Sequence, residues 1–223
     1  MLKIPINEIF GPTLQGEGRY IGCPAVFVRV SGCDLCCPEC DTKYAWGDSG
    51  STMMTPGEIV RRVVELAGSI NPIVVLTGGN PAMYQLGPVV DGLNRECLRI
   101  HVETQGTMSP DWLVDADLVT ISPKMSMGIS TTENFVRYFE GYVDMQLKVV
   151  AFDDASLERA LVLHKLMPRI PMIIQQGWNV LENKCAMELD YIAMVVLNDE
   201  RSKRDIRVLP QLHRIIWGDK HGV

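Results

Sequence analysis

Residues 25–40 read Ala-Val-Phe-Val-Arg-Val-Ser-Gly-Cys-Asp-Leu-Cys-Cys-Pro-Glu-Cys. A β-rich run over 25–30 passes straight into four cysteines that fall between positions 33 and 40. Outward from this stretch the pattern alternates strand and helix. Thr55-Pro56-Gly57-Glu58 has the form of a capping box with proline at the first helical position. Val60, Val63, Val64 and Ala67 then repeat at helical spacing. A short apolar run over 73–76 suits a strand buried on both faces, and it ends in Thr77-Gly78-Gly79-Asn80-Pro81, which breaks any regular element. Leu86, Val89, Val90 and Leu93 mark a second helix. Strands are predicted over 98–103, 118–121, 145–150 and 172–175, and a helix over 157–166 capped by Ser156 or Asp154. The stretch 122–140, rich in Ser, Thr and Gly, reads as poor helix. The order predicts an α/β fold with a parallel sheet. About six parallel strands joined by few good helices favour an incomplete (β/α) barrel over a doubly wound sheet.

Composition bounds the rest. With 223 residues, 47% of them hydrophobic and 22% charged, the chain suits one globular domain spanning 1–223. Its longest wholly apolar stretch, over 191–197, falls far short of the ~20 residues of a membrane span. The first residues lack the basic and apolar regions of a signal peptide. A net charge of −6 without a basic tract disfavours nucleic acid as a partner. A soluble, cytoplasmic chain is expected, with neither membrane nor nucleic acid among its partners. Seven cysteines, four of them clustered, point in that compartment to a metal or iron–sulfur site and away from disulfides.

Cys33, Thr77, Glu103, Ser122 and Gln175 each fall at or just past the end of a predicted strand. In a parallel barrel those ends share one face, which holds the active site. Cys33, Cys37 and Cys40 follow C-x3-C-x2-C spacing, and three thiolates can wrap one face of a cubane cluster. Electron-transfer clusters carry four cysteines, so a missing ligand suits an iron that binds substrate or cofactor. Cys36 leaves a closed zinc site as the alternative, although vicinal side chains in a tight loop diverge. Cys23, Cys36, Cys97 and Cys185 otherwise read as small hydrophobes.

These features resemble the radical S-adenosylmethionine superfamily. The flanks carry the likeness further. The run Asn7-Glu8-Ile9-Phe10-Gly11-Pro12-Thr13-Leu14-Gln15-Gly16-Glu17-Gly18, Arg29, the cysteine loop, Asp41-Thr42, the Gly-Gly segment, Glu103-Thr104-Gln105-Gly106, Ser122-Pro123-Lys124 and the tail over 207–223 together resemble the 7-carboxy-7-deazaguanine synthase family. The resemblance implies a lyase of queuosine and 7-deazapurine biosynthesis. Such enzymes turn 6-carboxy-5,6,7,8-tetrahydropterin into 7-carboxy-7-deazaguanine with loss of ammonia, using a [4Fe–4S] cluster, S-adenosylmethionine and Mg2+. It also implies an external reductant such as flavodoxin or ferredoxin, with a homodimer as the assembly to test. A radical activase of a glycyl radical enzyme shares the cysteine spacing and is the alternative enzyme. A zinc-binding module is the non-enzymatic one.

By the same resemblance, Cys33, Cys37 and Cys40 ligate the cluster. Glu39, Cys40, Asp41, Ser122, Pro123 and Lys124 adjoin the adenosyl cofactor, and Gly79, Glu103 and Gln175 are added to them from their places at strand ends, where Glu103 can accept from substrate or cofactor. Leu14, Gln15, Gly16, Arg29, Thr77, His213 and Val223 meet the substrate, and Thr42 offers a hydroxyl to magnesium. Each has a plainer reading. Gly78 and Gly79 suit a tight turn, and Thr42 suits a turn as well. The polar strand-end residues serve equally as caps or solvated groups. Arg29, in an apolar strand, needs an anionic partner, either the substrate carboxylate or Asp34 or Glu17. His213 lies beside Leu212, Ile215 and Ile216 and suits packing, while Val223 suits a frayed tail. Asn80 stands where the superfamily commonly has glutamate, and its amide oxygen can accept from the ammonium of S-adenosylmethionine.

Overall fold

A computed structural model describes residues 1–47, 50–179, 182–202, 205–218, 220 and 222–223. Two antiparallel strands, β1 (Ile4–Leu14) and β2 (Pro24–Val30), precede the cysteine loop, and a short β3 (Thr52–Met54) leads into α1 (Pro56–Ala67). Then follow β4 (Ile73–Gly78), α2 (Gly87–Arg95), β5 (Ile100–Thr104), β6 (Leu118–Ile121), α3 (Ile129–Phe139), β7 (Met145–Ala151), α4 (Asp154–Leu166) and β8 (Met172–Gln176). A two-stranded ribbon, β9 (Trp178–Asn179) with β10 (Lys184–Cys185), α5 (Leu189–Asn198), β11 (Ile206–Leu209) and α6 (Leu212–Trp217) complete the order.

Among the described residues nine strands form one sheet in the order β11-β8-β7-β6-β5-β4-β2-β1-β3. Every pairing from β2 through to β11 is parallel, and β1 pairs antiparallel with both β2 and β3. The two end strands are not joined, so the barrel is incomplete, as expected. Seven parallel strands replace the expected six because β11 adds to the edge beyond β8. Sequence reading misses β1 for a physical reason: Pro5, Gly11 and Pro12 interrupt its apolar pattern, and the strand is held by pairing with β3 at Pro5 and with β2 before and after the irregularity at Gly11 and Pro12.

Side-chain alternation places the chemistry. One set of strand residues, including Val28, Leu76, Val102, Ile121, Leu147 and Ile174, packs with Val63, Val90, Phe135 and Leu163 of the helices in a single apolar cluster. The alternating set carries Arg29, Thr77, His101, Glu103, Thr120, Ser122, Gln146, Lys148 and Gln175. These lie on the face turned from the helices, in the hollow of the curved sheet. At its N-terminal end that hollow is plugged by Ala25, Ile73 and Val75, with Tyr20, Cys23 and Phe27 against them.

The helices depart from expectation in instructive ways. The capping box of α1 is present, but its buried stripe is Ile59, Val63 and Ala67, while Val64 is exposed. The segment expected to be poor helix contains α3, whose Thr132, Phe135, Val136 and Phe139 are buried. That spacing is helical, and burial of the stripe outweighs the weak propensity of its Ser and Thr. Asp153, one residue before Asp154 and three before Ser156, is the N-cap of α4: Asp153 accepts from Ser156 N at 2.8 Å, and Ser156 Oγ accepts from Asp153 N at 3.0 Å. Cys36 and Cys97 are exposed, Cys97 at a left-handed φ of 56°, and so are not the buried small hydrophobes expected of them. Among the described residues no helix is long and apolar enough to cross a membrane.

The reciprocal cap of α4 has a measurable consequence. Asp153→Ala is expected to lower stability by ~1 kcal/mol, a Tm fall of about 2–4 °C for a chain of this size, whereas Asp153→Asn retains most of the cap. Thermal unfolding of the three proteins checks this, and equal midpoints for Ala and wild type would remove the cap.

Candidate active site

At the C-terminal ends of the parallel strands a cavity of about 410 Å³ opens, bounded by the cysteine loop, the β1–β2 connection and the segment after β11. Every site residue expected from sequence reaches its wall except Gln175 and Asn80. Strand ends alone do not explain this convergence, and three local arrangements produce it.

The first holds the cysteine loop. Cys33, Cys37 and Cys40 are free, half-buried and on the cavity wall, whereas Cys36 is exposed and off it. Burial pushes the Cys33 thiol up, with the charges of Asp34 and Cys40 adding to the rise. It does the same to Cys37, where Lys124 opposes and Cys40 and Cys33 reinforce. The three sulfurs are thus electrostatic neighbours. Among the described residues no three His, Cys, Asp or Glu side chains converge as for a single metal ion. The backbone of the loop rests on β4: a Cβ on Gly79 would stand 2.0 Å from Gly32 O, so only glycine permits the contact. Asn80 is fully buried and wholly engaged. Its amide donates to Asp34 Oδ1 at 2.8 Å and Thr107 Oγ1 at 3.1 Å, and its oxygen accepts from Ala82 N at 3.1 Å and Thr104 Oγ1 at 2.9 Å. The contact expected between that oxygen and a cofactor ammonium is therefore not made by this residue; Asn80 braces the loop instead.

The second arrangement forms the floor. Lys148, 4% exposed, extends its ammonium to Glu17 Oε2 at 2.5 Å and Glu103 Oε2 at 3.2 Å. Gln15 Nε2 donates to Glu103 Oε1 at 2.9 Å, and Gln15 Oε1 accepts from Glu17 N at 3.2 Å. Burial works to raise the Glu103 pKa, but the charge of Lys148, together with His101 and the hydrogen bonds from Lys148 and Gln15, holds the carboxyl below its ordinary range. Burial likewise opposes charge on Lys148, and Glu103 and Glu17 more than offset it. One layer deeper, burial depresses His101 to about 4, leaving it neutral beside Thr120 Oγ1 at 2.6 Å. Lys148 escaped sequence reading, although polar Gln146 and Lys148 alternating through an apolar strand are a visible sign of a buried polar face.

The third arrangement forms the outer wall. Arg29 Nε donates to Glu8 Oε1 at 2.7 Å, and Tyr44 OH donates to the same oxygen at 3.1 Å. The structural partner of Arg29 is therefore Glu8, not Asp34 or Glu17. Glu8 and Arg29 are cross-strand neighbours on β1 and β2, a pairing invisible until β1 is recognised. Burial lifts the Tyr44 phenol to about 12 against the opposing pull of Arg29. Thr42 Oγ1 donates to Asp41 Oδ1 at 2.7 Å, and Thr42 N to Cys40 Sγ at 3.4 Å.

α6 closes the wall. Leu212 N donates to Gly16 O at 3.0 Å, and a Cβ on Gly16 would stand 2.2 Å from His213 Nδ1. Ile215 and Ile216 are 67% and 46% exposed, so the packed helix expected around His213 is not formed. Gly222 and Val223 also line the cavity. Gln175 is fully buried, accepts from Gly18 N at 3.3 Å, and donates to Leu209 O at 3.2 Å and Pro210 O at 2.5 Å. It ties the two walls together from below and does not line the cavity.

Comparison with known proteins agrees with this geometry. Residues 14–111 match the family of 4Fe-4S single cluster domains. The 7-carboxy-7-deazaguanine synthase of Bacillus cereus is 35% identical, over 100% of this chain and 100% of that protein. That of Bacillus subtilis is 37% identical, over 99% and 98%. The crystal structure of QueE from Escherichia coli shares the fold with a TM-score of 0.70 at 24% identity, over 95% of each chain. The chain belongs to the 7-carboxy-7-deazaguanine synthase family.

Proposed function

We propose that this chain is a 7-carboxy-7-deazaguanine synthase, a radical lyase that contracts the ring of 6-carboxy-5,6,7,8-tetrahydropterin with loss of ammonia. The observation that carries the reading is the meeting in one cavity of three free thiols with an arginine, a carboxylate floor and His213. Three cysteines on the wall and a fourth turned to solvent suit a cluster with one iron open to a cofactor. Bound there, a [4Fe–4S] cluster with S-adenosylmethionine supplies reductive, hydrogen-abstracting radical chemistry.

The chain's own residues bind and orient. Cys33, Cys37 and Cys40 are assigned to the cluster. Glu39, Asp41, Gly79, Ser122, Pro123 and Lys124, next to those thiols, are assigned to the adenosyl cofactor, and Lys124 Nζ is already anchored on Ser122 Oγ at 3.0 Å. Arg29 spends Nε on Glu8 and keeps its terminal nitrogens for a carboxylate, which its planar fork fits. Leu14, Gln15, Gly16, Thr77, His213 and Val223 complete the assigned substrate wall, with Glu103 beneath it. Thr42 is assigned to Mg2+, which takes few protein ligands. An external one-electron reductant, a cytoplasmic setting and a homodimer belong to the same reading.

Turnover of the tetrahydropterin by reconstituted protein under reducing anaerobic conditions, followed by mass analysis, tests the function. Release of 7-carboxy-7-deazaguanine and ammonia is expected. Cofactor cleavage without that product would favour the activase alternative.

The cluster assignment is tested separately. Cys33→Ala, Cys37→Ala and Cys40→Ala are each expected to lose bound iron or cofactor cleavage, and Cys36→Ala to keep both. Iron and sulfide analysis decides, and loss in Cys36→Ala with retention in Cys33→Ala would move the ligand set. Deleting Gly222 and Val223 should raise the substrate KM by about 10-fold, the equivalent of ~1.4 kcal/mol, while cofactor binding persists. An unchanged KM would leave those residues outside the site.

A further inference from the structure

The floor of the cavity contains a group that the assigned binding roles leave unused. Lys148 stands between two carboxylates, and it forms a closed circuit with three residues, Glu103, Gln15 and Glu17. From Lys148 Nζ the path runs to Glu103, then through Gln15 Nε2 to Gln15 Oε1, on to Glu17 N, and from Glu17 Oε2 back to Lys148. The remaining oxygen of Glu17 accepts from Gln211 Nε2 at 2.5 Å, which joins the circuit to the segment carrying His213. Lys148 itself comes from β7, Glu103 from β5, and Glu17 and Gln15 from the β1–β2 connection. One ammonium thus fixes three separate elements, and no water-filled route is needed to neutralise them.

We propose that Lys148 is a positioning residue for the synthase: its ammonium keeps Glu17 and Glu103 together as two carboxylates, so that the floor presents acceptors to the N–H groups of a reduced pterin. The inference rests on the function proposed above. Two carboxylates this close share a proton unless a cation lies between them. Without Lys148 one of the pair is neutral near pH 7, and an acceptor facing the substrate becomes a donor facing a donor. Gln15 Nε2, which donates to Glu103 Oε1, would lose its acceptor if that carboxyl took the proton, while Gln15 Oε1 stays on the backbone N–H of Glu17.

Other charged groups around the pair are identifiable. His101 on β5 is already neutral. Arg19, at the end of the β1–β2 connection, is paired with Asp144. His213 on α6 acts on Glu17 from the cavity side. All three stay in place in every variant below, but Lys148 is one of the charges that lower His101, so a new ionisation in a Lys148 variant is assigned to the glutamates by their own carboxyl resonances.

KM and kcat for the tetrahydropterin between pH 6 and 9 provide the test. In Lys148→Met, which keeps the length of the side chain without its charge, KM should rise by about 10-fold or more near pH 6.5, the effect of one charge-assisted hydrogen bond. It should then fall as pH rises and the shared proton leaves, with kcat changed less. Lys148→Arg should restore both KM and the wild-type profile. Should Lys148→Met fold poorly, adding Glu17→Gln removes one of the opposed charges and should recover folding, while KM stays raised and loses its pH dependence because one carboxylate acceptor is still missing. A KM in Lys148→Met that tracks wild type at every pH, no recovery in Lys148→Arg, or a wild-type KM in the Lys148→Met, Glu17→Gln double variant would overturn the proposal. Carboxyl 13C NMR of the substrate-free proteins separates this from the functional reading: one glutamate should titrate in the neutral range in Lys148→Met and neither in wild type. No such difference would overturn the role of Lys148, whereas that difference in a wild type without synthase turnover would overturn the function alone.

Discussion

A parallel strand inside an incomplete barrel has two buried faces, and its alternation divides them. The helix-side residues need only be apolar and well shaped. The others face a hollow from which water is largely excluded, so any polar group there must find a partner or lose ~1–3 kcal/mol. In this chain that face carries Arg29, His101, Glu103, Gln146, Lys148 and Gln175. The Lys148 ammonium between Glu17 and Glu103 is the interaction on which the arrangement turns. Removing one member of such a buried set typically costs about 3–5 kcal/mol, because the rest are left uncompensated.

That requirement explains why loops and tail lie where they do. Glu17 must be delivered to Lys148, which draws the β1–β2 connection over the strand ends. Gln211 must reach Glu17, and Gln175 must satisfy Leu209 and Pro210, which draws the segment after β11 across the same mouth. His213 and Gly16 are brought together by that closure. The cavity is therefore assembled by pairing buried polar groups, and the cysteine loop is held at its rim by a separate set around Asn80 and Asp34.

Much of this was legible in the chain. Alternating strands and helices imply the parallel sheet, and residues at strand ends imply a shared face, because both depend on short-range patterning. C-x3-C-x2-C spacing singles out Cys33, Cys37 and Cys40 for the same reason. What escaped depends on pairing between distant segments. β1 is broken by Pro5, Gly11 and Pro12, so Glu8 could not be recognised as the neighbour of Arg29. Gln175 was assigned to the cavity because it ends a strand, yet its partners lie on β11 and just beyond, which sequence reading did not find. α3 was discounted for its Ser and Thr, although Thr132, Phe135, Val136 and Phe139 keep helical spacing. Lys148 was passed over because it lies inside a predicted strand and not at its end. In each case local propensity was overruled by a tertiary contact.

The measurement that bears most directly on this picture is a crystal structure of the anaerobically reconstituted protein with S-adenosylmethionine and the carboxytetrahydropterin. The expected density shows a cluster on Cys33, Cys37 and Cys40, with the pterin between Arg29 and His213 above an unbroken Glu17–Lys148–Glu103 floor. A cluster bound through Cys36, or a pterin seated away from that floor, would contradict it.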